Sequence, residues 1–175
     1  MGKHYEDEWT KSIANMLEKE LSKKYIVTCL EYVPYKIDSI DNNIIKYKKY
    51  QTDLLIKEKV GNNYIPRLII ESKFGGVTTH DAITYSNKAK DHKNIYNSLR
   101  YGIMIGKIDK VPLRLIQHEE YFDFMFTFNN EIPNDNEWKL FIKIIKKNLL
   151  ISKSIDDMNK NNNYKCIEKD YIFHK

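Results

Sequence analysis

Apolar residues near the start of the chain recur at helical spacing and predict an amphipathic helix from Tyr5 to Lys24. The apolar stripe consists of Trp9, Ile13, Met16, Leu17 and Leu21. At about 100° of rotation per residue, Glu6 falls in the middle of this stripe. A carboxylate on the buried face of a helix must be paired or must bind something. Glu6 is therefore a candidate functional residue.

The segment after this helix predicts three strands, two of which form a hairpin. Residues 25–33 are rich in β-branched and aromatic side chains and end at Pro34, and a polar stretch from Asp38 to Asn43 links onward. Two β-prone segments follow, Tyr50 to Lys59 and Tyr64 to Lys73. They are separated by Val-Gly-Asn-Asn, which is a strong signal for a hairpin turn.

A second helix and a buried strand are predicted after the hairpin. Gly75-Gly76 ends the hairpin, and the sequence Thr-Thr-His-Asp from Thr78 supplies N-cap chemistry for a helix that runs to about Asn94. Residues 101–106 form a short apolar run between glycines, which is typical of a central buried strand.

The last part of the chain predicts a further strand and a basic helix. Phenylalanines alternate between Tyr121 and Phe128, which indicates a strand with an aromatic core face. Residues 138–152 read as a basic amphipathic helix, and the polar tail covers residues 160–175. The order α-β-β-β-α-β predicts an α/β fold with a mixed (α+β) sheet and a C-terminal strand and helix extension. One domain is expected over residues 1–175, with its core at about 5–106 and the extension at 107–159.

Composition adds a weak preference for anionic partners. The 175 residues include 29 lysines and arginines against 24 acids, a formal charge of +5. The two cysteines have no metal-binding spacing, which favours a reduced, intracellular setting. No signal-like start and no apolar run near the roughly 20 residues of a membrane span are present. We therefore expect a cytoplasmic protein that does not enter the membrane.

The hairpin carries the residues with the clearest chemistry. Asp53 lies on its first arm, and Glu71 and Lys73 end its second arm. Because strand side chains alternate between faces, Glu71 and Lys73 point the same way, and the hairpin brings Asp53 towards them. Two carboxylates can hold a hard divalent cation while the ammonium orients or deprotonates a water. This arrangement indicates phosphodiester cleavage.

The short pattern Asp/Glu-x-Lys also begins at Asp91 and at Glu137. Both of these matches fall in predicted helices, where side chains two residues apart diverge and cannot converge on one metal ion. The match at Glu71 alone lies at a strand end with an Asp across the hairpin.

From Tyr5 to Gly106 the arrangement resembles the PD-(D/E)xK nuclease superfamily, which implies a restriction endonuclease-like core. The resemblance implies that Asp53 and Glu71 bind Mg²⁺, with Mn²⁺ able to substitute, and that Lys73 assists the attacking water. It also implies that Glu6 supplies the additional acid that many members carry on the first helix. Thr52 stands where the family's name places a proline.

The function implied is magnesium-dependent cleavage of double-stranded DNA by a type II restriction endonuclease. Two-fold symmetry matching a palindromic target predicts a homodimer. A structure-specific repair nuclease or Holliday junction resolvase on the same fold is the first alternative. A nucleic-acid-binding module without catalysis is the second.

Further DNA contacts are expected from basic residues outside the hairpin ends. Lys88 lies one turn from Thr84 on the second helix and faces the general direction of Glu71. The other candidates are Arg67, Arg100, Lys143 and Lys147. The plainer interpretation is a half-buried salt-bridge cluster of Asp53, Glu71 and Lys73, with Glu6 serving only the helix dipole.

Overall fold

A mixed five-stranded sheet with helices on both faces forms the framework of the computed structural model, which describes residues 3–41 and 44–161. In chain order the elements are α1 (Lys3–Glu20), β1 (Tyr25–Asp41), β2 (Ile44–Val60), β3 (Asn63–Phe74), α2 (Thr79–Ile95), β4 (Arg100–Gly106), α3 (Leu113–Ile116), β5 (Phe124–Phe128) and α4 (Asp135–Asn161). The predicted order α-β-β-β-α-β is present, and the α/β class with a mixed sheet is confirmed.

The sheet changes from antiparallel to parallel pairing at β3. Its strand order is β1-β2-β3-β4-β5. Strands β1, β2 and β3 form an antiparallel meander, whereas β4 pairs in parallel with β3 and β5 pairs in parallel with β4. A parallel connection needs a long crossover, and α2 provides it between β3 and β4.

Apolar residues on the two faces of the sheet form separate cores. Helices α1 and α4 cover one face, where Trp9, Leu54, Ile70 and Phe141 belong to one buried cluster. Helix α2 covers the other face, where Ala89 packs with apolar residues of the strands. β3 and β4 are thus buried on both sides, which explains their near-continuous apolar sequences.

The predicted turn signals are confirmed in the fold. The β2–β3 hairpin turns at Gly61, which has a φ of 61°. Helix α2 begins after Thr78, whose hydroxyl accepts a hydrogen bond from the backbone N–H of Asp81, while the Asp81 carboxylate accepts from the backbone N–H of Thr78. This capping box fixes the point at which the chain leaves β3 and enters α2.

The prediction that the first strand ends at Pro34 is wrong. β1 continues to Asp41, and part of the polar stretch that was expected to be a linker pairs with β2 instead. Pro34 is tolerated because β1 is the edge strand of the sheet, where a missing backbone N–H leaves no partner on the open side. A register shift follows between Pro34 and Lys36.

The C-terminal elements differ from the sequence prediction mainly in their bounds. Helix α4 extends nine residues beyond the predicted end at Ser152, and the short helix α3 was not predicted. Phe126 and Phe128 are buried against Phe141, so the aromatic stripe is core, as expected. Most of the predicted polar tail lies outside the described residues. No helix within residues 3–41 and 44–161 is long and apolar enough to cross a membrane.

One residue of β1 reverses the alternation of side chains along that strand. Val27 and Cys29 pack against the core on the α1 side, yet Val33 belongs to the core under α2. Between them Leu30 has a φ of 56°. This left-handed conformation is rare for a residue with a branched side chain. Leu30 lies between the pairs Cys29–Leu54 and Glu31–Thr52 of the β1–β2 ladder, at the level of Asp53 on β2.

Packing at the end of β4 predicts a penalty for enlarging Gly106. A Cβ atom there would lie 2.7 Å from the Phe74 ring and 2.8 Å from the Trp9 ring. We expect Gly106→Ala to lower the free energy of unfolding by about 1–3 kcal/mol, because overpacking a dense core forces its neighbours to move. Thermal unfolding should show a Tm lower by roughly 2–4 °C per kcal/mol.

Gly61→Asn is the matched control, since Asn tolerates a positive φ and nothing lies within 4 Å of a Cβ atom at Gly61. We expect this variant to unfold close to the wild-type Tm. A Gly106→Ala protein as stable as wild type would contradict the packing described for Trp9 and Phe74.

Candidate active site

Glu71 is the most deeply buried acid near the end of β3. Its side chain has no solvent exposure and faces the α2 side of the sheet. One carboxylate oxygen, Oε1, accepts a hydrogen bond from the hydroxyl of Tyr101 and lies 3.5 Å from the Lys88 ammonium. The other, Oε2, has no hydrogen-bond partner among the described residues. A buried carboxylate oxygen without a partner is costly unless a cation or a proton satisfies it.

Asp53 places a second acid beside Glu71. Its Oδ2 atom accepts a hydrogen bond of 2.8 Å from the backbone N–H of Ser72, which holds the β2 side chain against the end of β3. Burial, followed by the nearby charge of Asp53, raises the pKa of Glu71 to about 8, and Lys88 and Tyr101 offset only part of this effect. Two acids held together in this way favour a proton or a cation between them.

Lys73 follows Glu71 on the same face of β3 and pairs with a different acid. Its Nζ lies 3.2 Å from Glu6 Oε1 and 3.9 Å from Asp81 Oδ1. The remaining oxygen of Glu6 accepts a hydrogen bond of 3.1 Å from the backbone N–H of Phe74. The Lys73 side chain is one-fifth exposed, so a water or substrate can still reach it.

Glu6 reaches the strand end because the first helix is fastened to β3. The Thr10 hydroxyl lies 2.6 Å from the Ser72 hydroxyl, and it donates to the backbone carbonyl of Glu6 at 2.7 Å. Thr10 and Ser72 are both buried. The middle residue of the Glu-x-Lys pattern, Ser72, therefore attaches β3 to α1, while its two neighbours face α2.

Helix α2 lines the site with Lys88, a candidate from the sequence, and with two side chains, Asp81 and Tyr85, that the sequence did not assign to it. Asp81, Tyr85 and Lys88 recur at i, i+4 and i+7, so they share one face of the helix. The Lys73 and Lys88 ammoniums lie 5.6 and 5.2 Å from the centre of the Tyr85 ring. Burial and the surrounding acids, Glu71 first, raise the pKa of the Tyr85 hydroxyl well above its usual value. The spacing of these residues was the signal that could have identified them.

Two carboxylates are the protein ligands that the site offers to a metal ion. Within the part of the chain that the structure describes, no three His, Cys, Asp or Glu side chains form a metal-binding group. Mg²⁺ is commonly held by one or two carboxylates, with water and substrate phosphate completing its shell. Asp53 and Glu71, with the unpartnered Oε2 atom, fit that mode of binding.

The four residues singled out in the sequence as catalytic meet at this strand end. Asp53 lies beside Glu71, and Glu6 pairs with Lys73. Thr52, at the position of the family's proline, is buried and donates a hydrogen bond of 3.0 Å to the Glu31 carbonyl. A threonine thus ties the strand before Asp53 to β1 by a hydrogen bond.

The structure places Arg67, which was predicted to contact DNA, in the interior of the protein. Its guanidinium is 3% exposed and forms ion pairs with Glu58 at 2.8 Å and with Asp156 at 3.1 Å. It therefore serves as a structural link between the hairpin and α4. Arg100 is also engaged, with its Nη1 atom 3.0 Å from Asp123 and its Nε atom donating to Asn148.

The three candidate lysines lie in different surroundings. Lys88 belongs to the candidate active site through its contact with Glu71. Lys143 and Lys147 lie on α4, which packs on the opposite face of the sheet from Glu71. Lys143 is exposed. The fold therefore does not bring these two α4 residues to the candidate active site.

The sequence matches no protein-family model, and no curated protein matches it. The function of this chain is therefore inferred from its own residues and their geometry.

Two buried glutamates predict opposite responses to the same substitution. In metal-free protein near pH 7, we expect Glu71→Gln to raise the free energy of unfolding by about 1–3 kcal/mol, because the wild-type side chain must take up a proton to be buried beside Asp53, whereas glutamine is neutral. The raised pKa makes wild-type stability fall as the pH rises from about 4.5 to about 8. The advantage of the variant should grow across that range in thermal unfolding.

Glu58→Gln is the matched control. Burial opposes ionisation of Glu58, but hydrogen bonds from Lys24 and Arg67 hold its pKa below the usual value. Its contribution to stability is present above the pKa of an unfolded glutamate and is lost as the pH falls through the folded-state pKa. Near pH 7 we expect Glu58→Gln to destabilise the fold by about 1–3 kcal/mol. Equal losses in both variants would contradict the contrast between the two sites.

Proposed function

We propose that this protein is a magnesium-dependent endonuclease that cleaves phosphodiester bonds of DNA. The observation that carries the proposal is the pair of adjacent acids, Asp53 and Glu71, at the end of a strand that also presents Lys73 on the same face. One oxygen of the pair is buried and has no partner among the described residues.

The plainer interpretation, an ordinary salt-bridge cluster, fits this geometry less well. Such a cluster would set an ammonium directly against each buried carboxylate. Here the ammonium of Lys73 pairs with Glu6, and the contact of Lys88 with Glu71 is long, at 3.5 Å. A pair of adjacent acids, one of which keeps a buried oxygen without a partner, is typical of a cation site.

The chain's own residues support each role that cleavage requires. Asp53 and Glu71 would hold the metal ion, which when bound supplies Lewis-acid stabilisation of the charge that develops on the phosphate. The N–H of Ser72 orients Asp53, and the hydroxyl of Tyr101 orients Glu71. Lys73 would orient the attacking water, and its contact with Glu6 fixes the position of its ammonium.

Removing the Lys73 ammonium should abolish most of the activity. We expect Lys73→Ala to reduce the rate of magnesium-dependent DNA cleavage by about 10²–10⁴-fold, the usual contribution of a positioned acid–base group. Cleavage of plasmid DNA in single-turnover reactions measures the effect.

Lys19→Ala is the control, since Lys19 is an exposed lysine on α1 outside the site. This variant should cleave at the wild-type rate. Undiminished cleavage by Lys73→Ala would remove Lys73 from the mechanism.

Metal binding can be tested without measuring activity. A ligand that binds only the folded state stabilises it by about 1.4 kcal/mol for each tenfold excess over its Kd. We expect added Mg²⁺ to raise the Tm of the wild type, and to leave the Tm of Asp53→Asn and Glu71→Gln unchanged. An equal Mg²⁺ response in all three proteins would show that the ion binds elsewhere.

Within this class we propose a restriction endonuclease that acts as a homodimer, because cutting both strands of a duplex requires two active sites. Mapping the ends of fragments from several sequenced plasmids tests this point. Cuts at one fixed sequence support restriction, whereas a preference for branched over linear substrates would favour a resolvase. Light scattering of the purified protein gives the number of chains.

A further inference from the structure

The β1–β2 hairpin continues beyond the body of the protein as a two-stranded ribbon. Its described side chains, Lys36–Ile40 on one strand and Ile44–Lys49 on the other, are all exposed. We call these two segments the basic arm. Here β2 pairs with β1 alone, because its ladder with β3 ends at the pair Leu54–Ile70. Six residues of β2 extend for about 20 Å at 3.4 Å per residue.

Positive charge dominates the arm. Its described side chains include Lys36, Lys46, Lys48 and Lys49, against the single acid Asp38. Residues paired across a ladder share a face, and on β2 residues two apart share a face. The pairs Lys36–Lys48 and Ser39–Lys46 therefore place three of the lysines on one face.

The pairing of Lys36 directly across from Lys48 is unfavourable in the isolated arm. Like charges opposite each other destabilise a sheet. The salt bridge from Lys48 to Asp38, at 3.4 Å between half-exposed side chains, relieves little of this repulsion. A pair of like charges that destabilises the sheet locally is expected where an anionic partner offsets their repulsion.

Tyr50, the residue that follows the basic arm on β2, contacts α2 beside the candidate active site. The Tyr50 hydroxyl donates a hydrogen bond of 3.1 Å to Asp91 of α2, and Lys88 lies 5.8 Å from the centre of the Tyr50 ring. Lys48 precedes Asp53 by five residues on the same strand, which corresponds to about 17 Å of extended chain. That is close to five base-pair steps of about 3.4 Å.

We infer that the basic arm contacts the phosphate backbone of double-stranded DNA through Lys36, Lys46 and Lys48. This inference rests on the proposed nuclease function and names the surface that holds the substrate. The major groove of DNA, about 12 Å wide, admits a two-stranded β-ribbon. Lysines along such a ribbon neutralise phosphates and release counterions, which makes binding dependent on salt.

The test compares DNA binding by two quadruple variants that remove equal charge. Both carry Glu71→Gln so that the DNA is not cut, and one adds Lys36→Gln, Lys46→Gln and Lys48→Gln. The control adds Lys11→Gln, Lys19→Gln and Lys23→Gln, which change exposed residues on or just after α1. Fluorescence anisotropy with a labelled linear duplex gives Kd between roughly 50 and 200 mM salt, the range over which phosphate contacts respond strongly.

We expect the arm variant to bind at least about tenfold more weakly than the control. Its log–log salt slope should be smaller by about 0.9 for each phosphate that a lysine of the arm no longer neutralises. Equal affinities and slopes in the two variants would overturn the inference. Circular dichroism and Tm establish that both variants are folded.

The opposite face of the arm carries Ile37, Ile40, Ile45 and Tyr47, each at least 40% exposed. If Ile37→Ser with Tyr47→Ser converts a dimer to a monomer while the lysine variant binds DNA as the control does, the arm joins two copies and the inference is wrong. If the wild type cleaves DNA although the lysine variant binds DNA as the control does, only the inference about the basic arm fails. The proposed nuclease function then stands. Weaker binding by the arm variant supports the arm even if no cleavage is found.

Discussion

Burial of β3 on both faces is the constraint on which the candidate site depends. The strand has a neighbour on each side and a core above and below it, so water does not reach Glu71. A carboxyl in that position can be satisfied only by fixed neighbours, by a proton or by a cation. Tyr101 and Lys88 contact one of its oxygens, and the nearby Asp53 makes ionisation of Glu71 unfavourable. The same burial that stabilises the sheet therefore leaves an acid that a proton or a cation would stabilise.

The hairpin and its acids were predictable because the interactions that define them are local. A Gly-Asn turn set the pairing of β2 and β3, and the alternation of side chains placed Glu71 and Lys73 on one face. Helical periodicity similarly directed Glu6 inward, and the structure gives it Lys73 as its partner. Each of these inferences needed only the period of one element and the geometry of one turn.

The remaining features depend on contacts between elements that are distant in sequence. Tyr101 reaches Glu71 through the parallel pairing of β3 and β4, whose register no local pattern specifies. Arg67 on β3 was expected to be free to contact DNA, but α4 brings Asp156 to it from 89 residues away in the sequence. The extension of β1 past Pro34 depended on that strand being at the edge of the sheet, which is a property of the whole fold. The hydrophobic periodicity and the composition of a sequence do not specify which distant elements will contact each other.

The left-handed residue Leu30 gives the two ends of β1 separate sequence requirements. Before it, Val27 and Cys29 must fit the core beneath α1, whereas the exposed residues from Lys36 to Ile40 have no interior packing partners to match. Substitutions there can accumulate without repacking the interior, as they do in surface loops carried on a rigid scaffold. The strand therefore joins an interior of fixed volume to a freely variable surface, and new binding preferences can evolve on that surface while the buried acids stay unchanged.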